Sequence, residues 1–314
     1  MPPKILVISG PTASGKTRLA VELALRHGGE VVSADSMQVY RRMDIGTAKP
    51  TPEEMRGIPH HMLDVADPEE DFSVARYVEL AAPCVDDILA RGKLPIVAGG
   101  TGLYLDSLLS GRTFAPFSPD GGLRARLEAR FDALGGEAML GELAAADPEA
   151  AARLHPNDRK RIVRALEVFQ QTGKTISQHN RETRALPLRY DALTLSLAFQ
   201  CREDMWARID RRVDEMMAAG LAEEVRALLD SGVPVRCTAM QAIGYKEMAA
   251  ALRGGGDVCA AAEEIKLRSR QYAKRQLTWF RRTEGAKWLF WGPEPDFEAA
   301  CRTSTKYLEE FGLV

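Results

Sequence analysis

Eight consecutive residues near the amino terminus, Gly10-Pro11-Thr12-Ala13-Ser14-Gly15-Lys16-Thr17, satisfy G-x-x-x-x-G-K-[ST]. The chemistry of such a run is anion binding. Glycines allow successive backbone N–H groups to close around a phosphate, and the Lys16 ammonium adds a point charge. The Thr17 hydroxyl is a hard oxygen suited to Mg²⁺. The flanks are those the motif needs. Ile5-Leu6-Val7-Ile8 reads as a short buried strand, and after the loop Leu19, Leu23 and Ala20, Ala24 recur four apart, as on a helix. Strand, glycine loop and helix together aim a helix N-terminus at the phosphate. A di- or triphosphate is the expected ligand.

A second group of reactive side chains follows the next apolar run, Glu30-Val31-Val32-Ser33, which ends in Ala34-Asp35-Ser36-Met37-Gln38. Open α/β sheets bind ligands at the carboxyl ends of their strands, so Asp35 and Ser36 are expected beside the phosphate loop. An Asp there serves as a general base, a metal ligand through water, or a cap on backbone N–H groups, and position alone leaves all three open. A third strand, Lys93-Leu94-Pro95-Ile96-Val97-Ala98, runs into Gly99-Gly100-Thr101-Gly102-Leu103-Tyr104. Phosphate-loop ATPases commonly place a Mg²⁺-holding Asp at such a strand end. Here a hydroxyl and backbone stand instead, which counts against a motor or a hydrolytic switch. His60-His61 lacks metal-ligand spacing, and no zinc or disulfide framework is expected from Cys84, Cys201, Cys237, Cys259 and Cys301, which read as buried free thiols.

These residues must be positioned by a chain of 314 residues, long for one domain, with 45% hydrophobic and 27% charged residues. A net charge of −2 gives no global signal for nucleic acid, so such a partner requires a local basic patch. Two are legible. Between residues 113 and 189 the chain becomes helical and alanine-rich, with a helix expected from Asp158 to Thr172 carrying Arg159, Lys160, Arg161 and Arg164. From Ile265 to Arg282 there are seven Lys or Arg and no acid, and Arg268, Tyr272, Arg275, Trp279 and Arg282 form one helical stripe. Cations interleaved with aromatics suit backbone neutralisation and base stacking, although a solvated helix face remains the alternative. Between the patches, Leu193–Phe199 reads as a strand. Met205–Leu229 reads as an amphipathic helical stretch with Trp206, Ile209, Val213, Met216 and Met217 inward, its arginines exposed and a break at Gly220. Ser73–Ala90 reads as a helix interrupted by Pro83. No apolar run reaches a membrane span, and Met1–Lys4 leaves no room for a signal peptide, so a cytoplasmic protein is expected.

Taken in order, the phosphate loop, Asp35–Tyr40, Met43–Pro50, Gly99–Tyr104, Leu154-His155-Pro156-Asn157-Asp158, Ala242–Glu247 and Arg270–Gln276 make the chain resemble the bacterial tRNA dimethylallyltransferases over nearly its whole length. The resemblance implies an α/β fold: a P-loop NTPase-like core with a parallel sheet flanked by helices, plus an all-helical insertion. The core would comprise 1–112 and 190–314, and the insertion 113–189. It implies transfer of dimethylallyl from dimethylallyl diphosphate to the exocyclic amine of the adenosine 3′ of a tRNA anticodon, by a monomer using Mg²⁺ at Thr17. Asp35 matches the family's base, Thr101 would bond near the same amine, and Lys16 with Gly10–Thr17 and Arg212 would hold the diphosphate. Implied tRNA contacts are Asp35, Ser36, Met37, Gln38, Thr101, Arg124, Arg159, Lys160, Arg161, Ile162, Val163, Met240, Gln241, Ala242, Ile243, Gly244, Tyr245, Lys274, Arg275 and Gln276. Met37, Gln38 and Gly102 vary in the family and are expected to tolerate change. Competing readings are an adenylate isopentenyltransferase acting on free nucleotides, a P-loop small-molecule kinase and a non-catalytic RNA-binding module. The first would not need the insertion or the basic helix.

Overall fold

A computed structural model describes residues 2–111, 114 and 122–314. Its six strands are β1 (Lys4–Ser9), β2 (Gly29–Ser33), β3 (His60–His61), β4 (Leu94–Gly99), β5 (Asp191–Phe199) and β6 (Lys287–Trp291). They form one parallel sheet in the order β3-β2-β4-β1-β5-β6. The apolar runs are continuous because both sheet faces are covered. Along β1 the two-residue period sends Leu6 and Ile8 to one core and Ile5 and Val7 to the other. The first core is closed by the helices Lys16–His27 and Phe297–Phe311, and the second by Val74–Ala90 and the helices after β5.

The expected elements are present with shifted ends, and several features differ. Helix Val74–Ala90 runs straight through Pro83, held by burial of Tyr77, Ala81, Ala82, Val85 and Ile88. β6 and the helix Phe297–Phe311 had no distinct sequence signal. β6 is an edge strand that buries only Leu289 and Trp291, and the helix is started by Asp296, whose carboxylate accepts from Ala299 N at 2.9 Å. Trp206 lies outward, 38% exposed with Arg202 over its ring, so the inward stripe of its helix is Met205, Ile209 and Val213. The break foreseen at Gly220 is real: a left-handed φ of 98° there separates Arg202–Ala218 from Leu221–Asp230. The cysteines are free, but Cys201 and Cys259 are exposed and only Cys301 is fully buried.

The chain divides into two compact units, 2–109 with 189–314, and 110–188. The second is helical: Gly122–Ala146, kinked at Gly135, then Pro148–Ala151, Arg159–Thr172 and Ile176–Arg184. Leu127, Met139, Leu143, Ile162, Val163 and Leu166 fill its core. Asp147 ties two of its helices, accepting from Ala150 N at 3.1 Å and Ser177 N at 2.9 Å. Buried Glu167 is neutralised by Arg164 at 2.7 Å and Arg124 at 3.5 Å, and Arg159 pairs with Asp132.

Candidate active site

β1 lies between β4 and β5, so the loop leaving its carboxyl end opens at the middle of the sheet edge. Gly10 and Gly15 are required there. A Cβ on Gly10 would stand 2.8 Å from Leu197 O, and one on Gly15 would meet the Phe297 ring at 2.6 Å, both with positive φ. Distant elements hold the loop. Gln276, from the basic helix Val258–Phe280, accepts from Thr12 N at 2.9 Å and donates to Gly100 O at 2.8 Å, joining the phosphate loop to the Gly-Gly-Thr turn. Trp291 Nε1 donates to Ser14 O at 2.8 Å, and Arg208 Nε to Ala13 O at 3.3 Å. Arg212, exposed by helical pattern alone but set at the diphosphate by the resemblance, donates to Thr12 Oγ1 at 3.3 Å.

Two half-buried cations therefore stand at the loop, Lys16 and Arg212. Burial, then the nearby Arg212 charge, lower Lys16 from its ordinary 10.5 to about 7, opposed by Asp35. Burial likewise lowers Arg212, with Asp35 opposing. Lys16 donates to Pro11 O at 2.7 Å, and among the described residues neither cation makes a salt bridge. An anion in the loop restores the charge balance that burial has disfavoured. Ser14 Oγ is buried without a hydrogen-bond partner in the same loop.

Asp35 Oδ1 accepts from Met37 N at 2.9 Å and Gln38 N at 3.3 Å, a local cap that orients the carboxylate and leaves Oδ2 without a partner among the described residues. Thr101 Oγ1 accepts from Ser36 N at 3.1 Å, so the ends of β2 and β4 are laced together beside Asp35. A cavity of about 300 Å³ connects these parts. Thr12, Ala13, Asp35, Ser36 and Arg212 line it on one side, and Met37, Ile209, Val213, Met216, Ile243 and Ile265 give it apolar walls. Tyr272, Ser269 and Arg275 reach it from the basic helix, and Gly46 and Thr47 from the loop after β2. The spacing of Ile209, Val213 and Met216 announced one helix face; it did not announce that the face opens on a cavity.

The remaining candidates separate into groups. Gln241, Ala242 and Ile243 line the cavity, Gly244 is the turn after them, and Met240 and Tyr245 are buried. Gln38 holds the loop at Thr47 O and Ala48 O, at 3.3 and 3.1 Å. Lys274 and Arg275 are exposed and Gln276 is buried. In the helical unit Lys160 and Arg161 are exposed, whereas the Ile162 and Val163 side chains close its core. A Cβ on Gly102 would lie 2.3 Å from the Trp279 ring, whose Nε1 donates to Asp106 at 3.0 Å, so change at Gly102 requires that indole to move. His61 bonds Glu30 at 2.8 Å, a structural pairing, and among the described residues no cluster of three His, Cys, Asp or Glu could hold a metal. No described helix is long and apolar enough to cross a membrane.

The family model for IPP transferase matches residues 38–283, from the turn after Asp35 to the end of the basic helix. The chain belongs to the IPP transferase family. A second model, isopentenyl transferase, matches residues 3–70, the phosphate-loop half alone. Among this family's curated members, the tRNA dimethylallyltransferase of Acetivibrio thermocellus is 46% identical over 309 residues, 98% of either chain. The tRNA dimethylallyltransferase 1 of Trichlorobacter lovleyi is 50% identical over 289 residues, 92% of this chain and 94% of its own. The solved full-length tRNA isopentenylpyrophosphate transferase of Bacillus halodurans superposes with a TM-score of 0.71 at 41% identity, over 98% of this chain and 96% of its own. A eukaryotic dimethylallyltransferase acting on tRNA gives 0.81 at 31% identity, over 98% of this chain and 78% of its own. The IPP transferase fold is thus a parallel sheet flanked by helices with a helical insertion.

Proposed function

We propose that the protein transfers the dimethylallyl group of dimethylallyl diphosphate to the exocyclic N⁶ amine of the adenosine immediately 3′ of a tRNA anticodon, releasing diphosphate. The observation that carries this reading is a cavity lined by the glycine-loop residues Thr12 and Ala13, by Arg212, by apolar side chains and by an oriented carboxylate, with half-buried Lys16 in the same loop. A kinase or ATPase would need a phosphoryl acceptor or a water-activating group, whereas an allylic donor needs a leaving diphosphate and a greasy slot. The matched relatives are named for this reaction.

In the reaction the N⁶ lone pair forms a bond to the allylic C1. The C1–O bond breaks and its electron pair leaves with the diphosphate. Lys16, Arg212 and the loop N–H groups stabilise charge growing on that leaving group. Asp35, oriented through Oδ1 by the Met37 and Gln38 amides, takes the N⁶ proton on Oδ2. Thr101, bonded to Ser36, orders the turn where the amine enters. A base reaches this cavity by leaving its stack, as chemistry on base edges generally requires. Mg²⁺ fits the donor set: the hydroxyl oxygens of Thr17 and Ser14, with no carboxylate cluster among the described residues, suit an ion carried mainly by phosphate oxygens. Thr17 would hold it, and when bound it supplies further charge neutralisation on the diphosphate. Exposed Lys274, Arg275, Lys160 and Arg161 supply cations for the tRNA backbone.

The test is incubation of the purified protein with Mg²⁺, labelled dimethylallyl diphosphate and either unmodified tRNA or AMP, followed by digestion and mass spectrometry of the nucleosides. Prenylated adenosine from tRNA alone is the expected result. Product from AMP alone would make the protein an adenylate isopentenyltransferase, and transfer to neither would return the loop to the kinase reading.

A further inference from the structure

Glu224, on the helix Leu221–Asp230, lies outside the motifs that led to the site, yet its carboxylate is the most heavily used acceptor near it. Glu224 Oε2 accepts from Asp44 N and Ile45 N, both at 2.9 Å, and Oε1 from Gly46 N at 3.2 Å and Tyr245 Oη at 2.5 Å. Three successive backbone N–H groups wrapped on one carboxylate form a nest, here filled by a side chain of the protein itself. The bonds join two chain segments that both form cavity wall: Gly46-Thr47 on one, and Ala242-Ile243, ahead of Tyr245, on the other. Their packing is equally close, since a Cβ on Gly46 would fall 2.5 Å from the Tyr245 ring and 2.9 Å from Leu221. Tyr245 is fully buried and its hydroxyl is kept protonated by burial and by the facing Glu224 charge. Lys49 ties the far end of the same loop to Tyr40 O, Asp44 and Asp64.

We propose that Glu224 is a positioning residue that sets the depth of the prenyl-binding end of the cavity and so restricts the donor to a short, five-carbon allylic diphosphate. This rests on the prenyl-transfer reading above. A carboxylate accepts all four hydrogens, but an amide in its place turns an NH₂ toward backbone N–H groups and releases the wall. A loosened wall lowers affinity for the short chain and admits a longer one.

The experiment compares wild type, Glu224→Gln and Tyr245→Phe with dimethylallyl diphosphate and with the ten-carbon geranyl diphosphate, reading kcat and KM for each donor, KM for tRNA and the thermal midpoint. Glu224→Gln is expected to raise the dimethylallyl KM about tenfold, as loss of charged hydrogen bonds does. Its preference for five carbons over ten should shrink by a similar factor. Tyr245→Phe, which removes one bond of four, should fall between. A lower midpoint with unchanged donor KM and donor preference overturns the proposal and leaves Glu224 a structural cap. If Glu224→Gln does not fold, an unmoved donor ratio in Tyr245→Phe overturns it equally. A wild type that prenylates nothing overturns the functional reading itself, a different result from an active wild type whose variants keep its donor preference.

Discussion

Of the roles its position left open, Asp35 shows the cap: Oδ1 accepts from Met37 N and Gln38 N. The proposed base role falls on the other oxygen, Oδ2. Asp35→Asn keeps a capping oxygen but abolishes the base. It is therefore expected to lower kcat by about 10²–10⁴-fold, the usual worth of a general base, with the donor KM within about twofold. Single-turnover and steady-state assays check this; a loss of donor affinity as large as the loss of kcat would place Asp35 on the diphosphate's metal instead. Lys16 and Arg212 illustrate the opposite dependence on context. Their residue types mark them as anion ligands, but it is burial against each other that makes an incoming anion favourable.

At the scale of elements, the basic helix Val258–Phe280 has two faces with separate tasks. Gln276 faces inward and holds the phosphate loop to the Gly-Gly-Thr turn, whereas Lys274 and Arg275, two and one residues before it, are exposed, Arg275 also reaching the cavity rim. Replacing Lys274 and Arg275 together by Gln removes two cations, and because Arg275 also lines the cavity the donor KM is read separately. It should weaken tRNA binding and flatten its log–log salt dependence by about 1.4–1.8, two fewer released counterions. Binding measured across a salt series decides it, and an unchanged slope would make this a merely solvated face. The short edge strand β3 carries a pH-dependent pairing. His61 has its pKa raised by hydrogen bonding to Cys84 and then Glu30, against burial. The charged form is thus favoured on folding. Its stabilisation is full below the unfolded value of about 6.5 and is lost as pH rises through the higher folded value. Thermal midpoints of wild type minus His61→Gln should accordingly differ more near about pH 5.5 than near about pH 8.5; a difference independent of pH would mean the pairing carries no charge.

For the whole molecule, the helical unit is an excursion from a core that closes without it. Leu109 O accepts from Arg189 N at 2.9 Å, so the two points where the chain leaves and re-enters the core are hydrogen-bonded neighbours. Cα separation across such a bond is small enough for a short flexible linker to span. Deleting 110–188 and joining Leu109 to Arg189 through a few Gly and Ser residues should give a folded core that binds diphosphate nearly as the full chain does. Its tRNA affinity should fall by at least about tenfold, ~1.4 kcal/mol, if Lys160 and Arg161 serve the tRNA. Calorimetry with inorganic diphosphate and filter binding with tRNA separate the two; retained tRNA affinity would assign recognition to the core alone.

Local chemistry by itself determined the phosphate loop, the strands that end in Asp35 and Thr101, the break at Gly220 and the two basic helices. Each rests on conformational or periodic constraints that act within a few residues: a glycine that must take a positive φ, an apolar run covered on both faces, a charge stripe at helical spacing. Only the tertiary structure decided that Trp206 turns out, that Gln276 bridges to Thr12 and Gly100, and that Glu224 gathers three amides and a tyrosine from elsewhere in the chain. Those contacts span from about twenty to more than two hundred and fifty positions along the chain. Which face of a polar helix meets the core is set by the sum of packing on all its neighbours. An amphipathic pattern names the face, and the parallel sheet order that brings β1 between β4 and β5 decides what that face will touch.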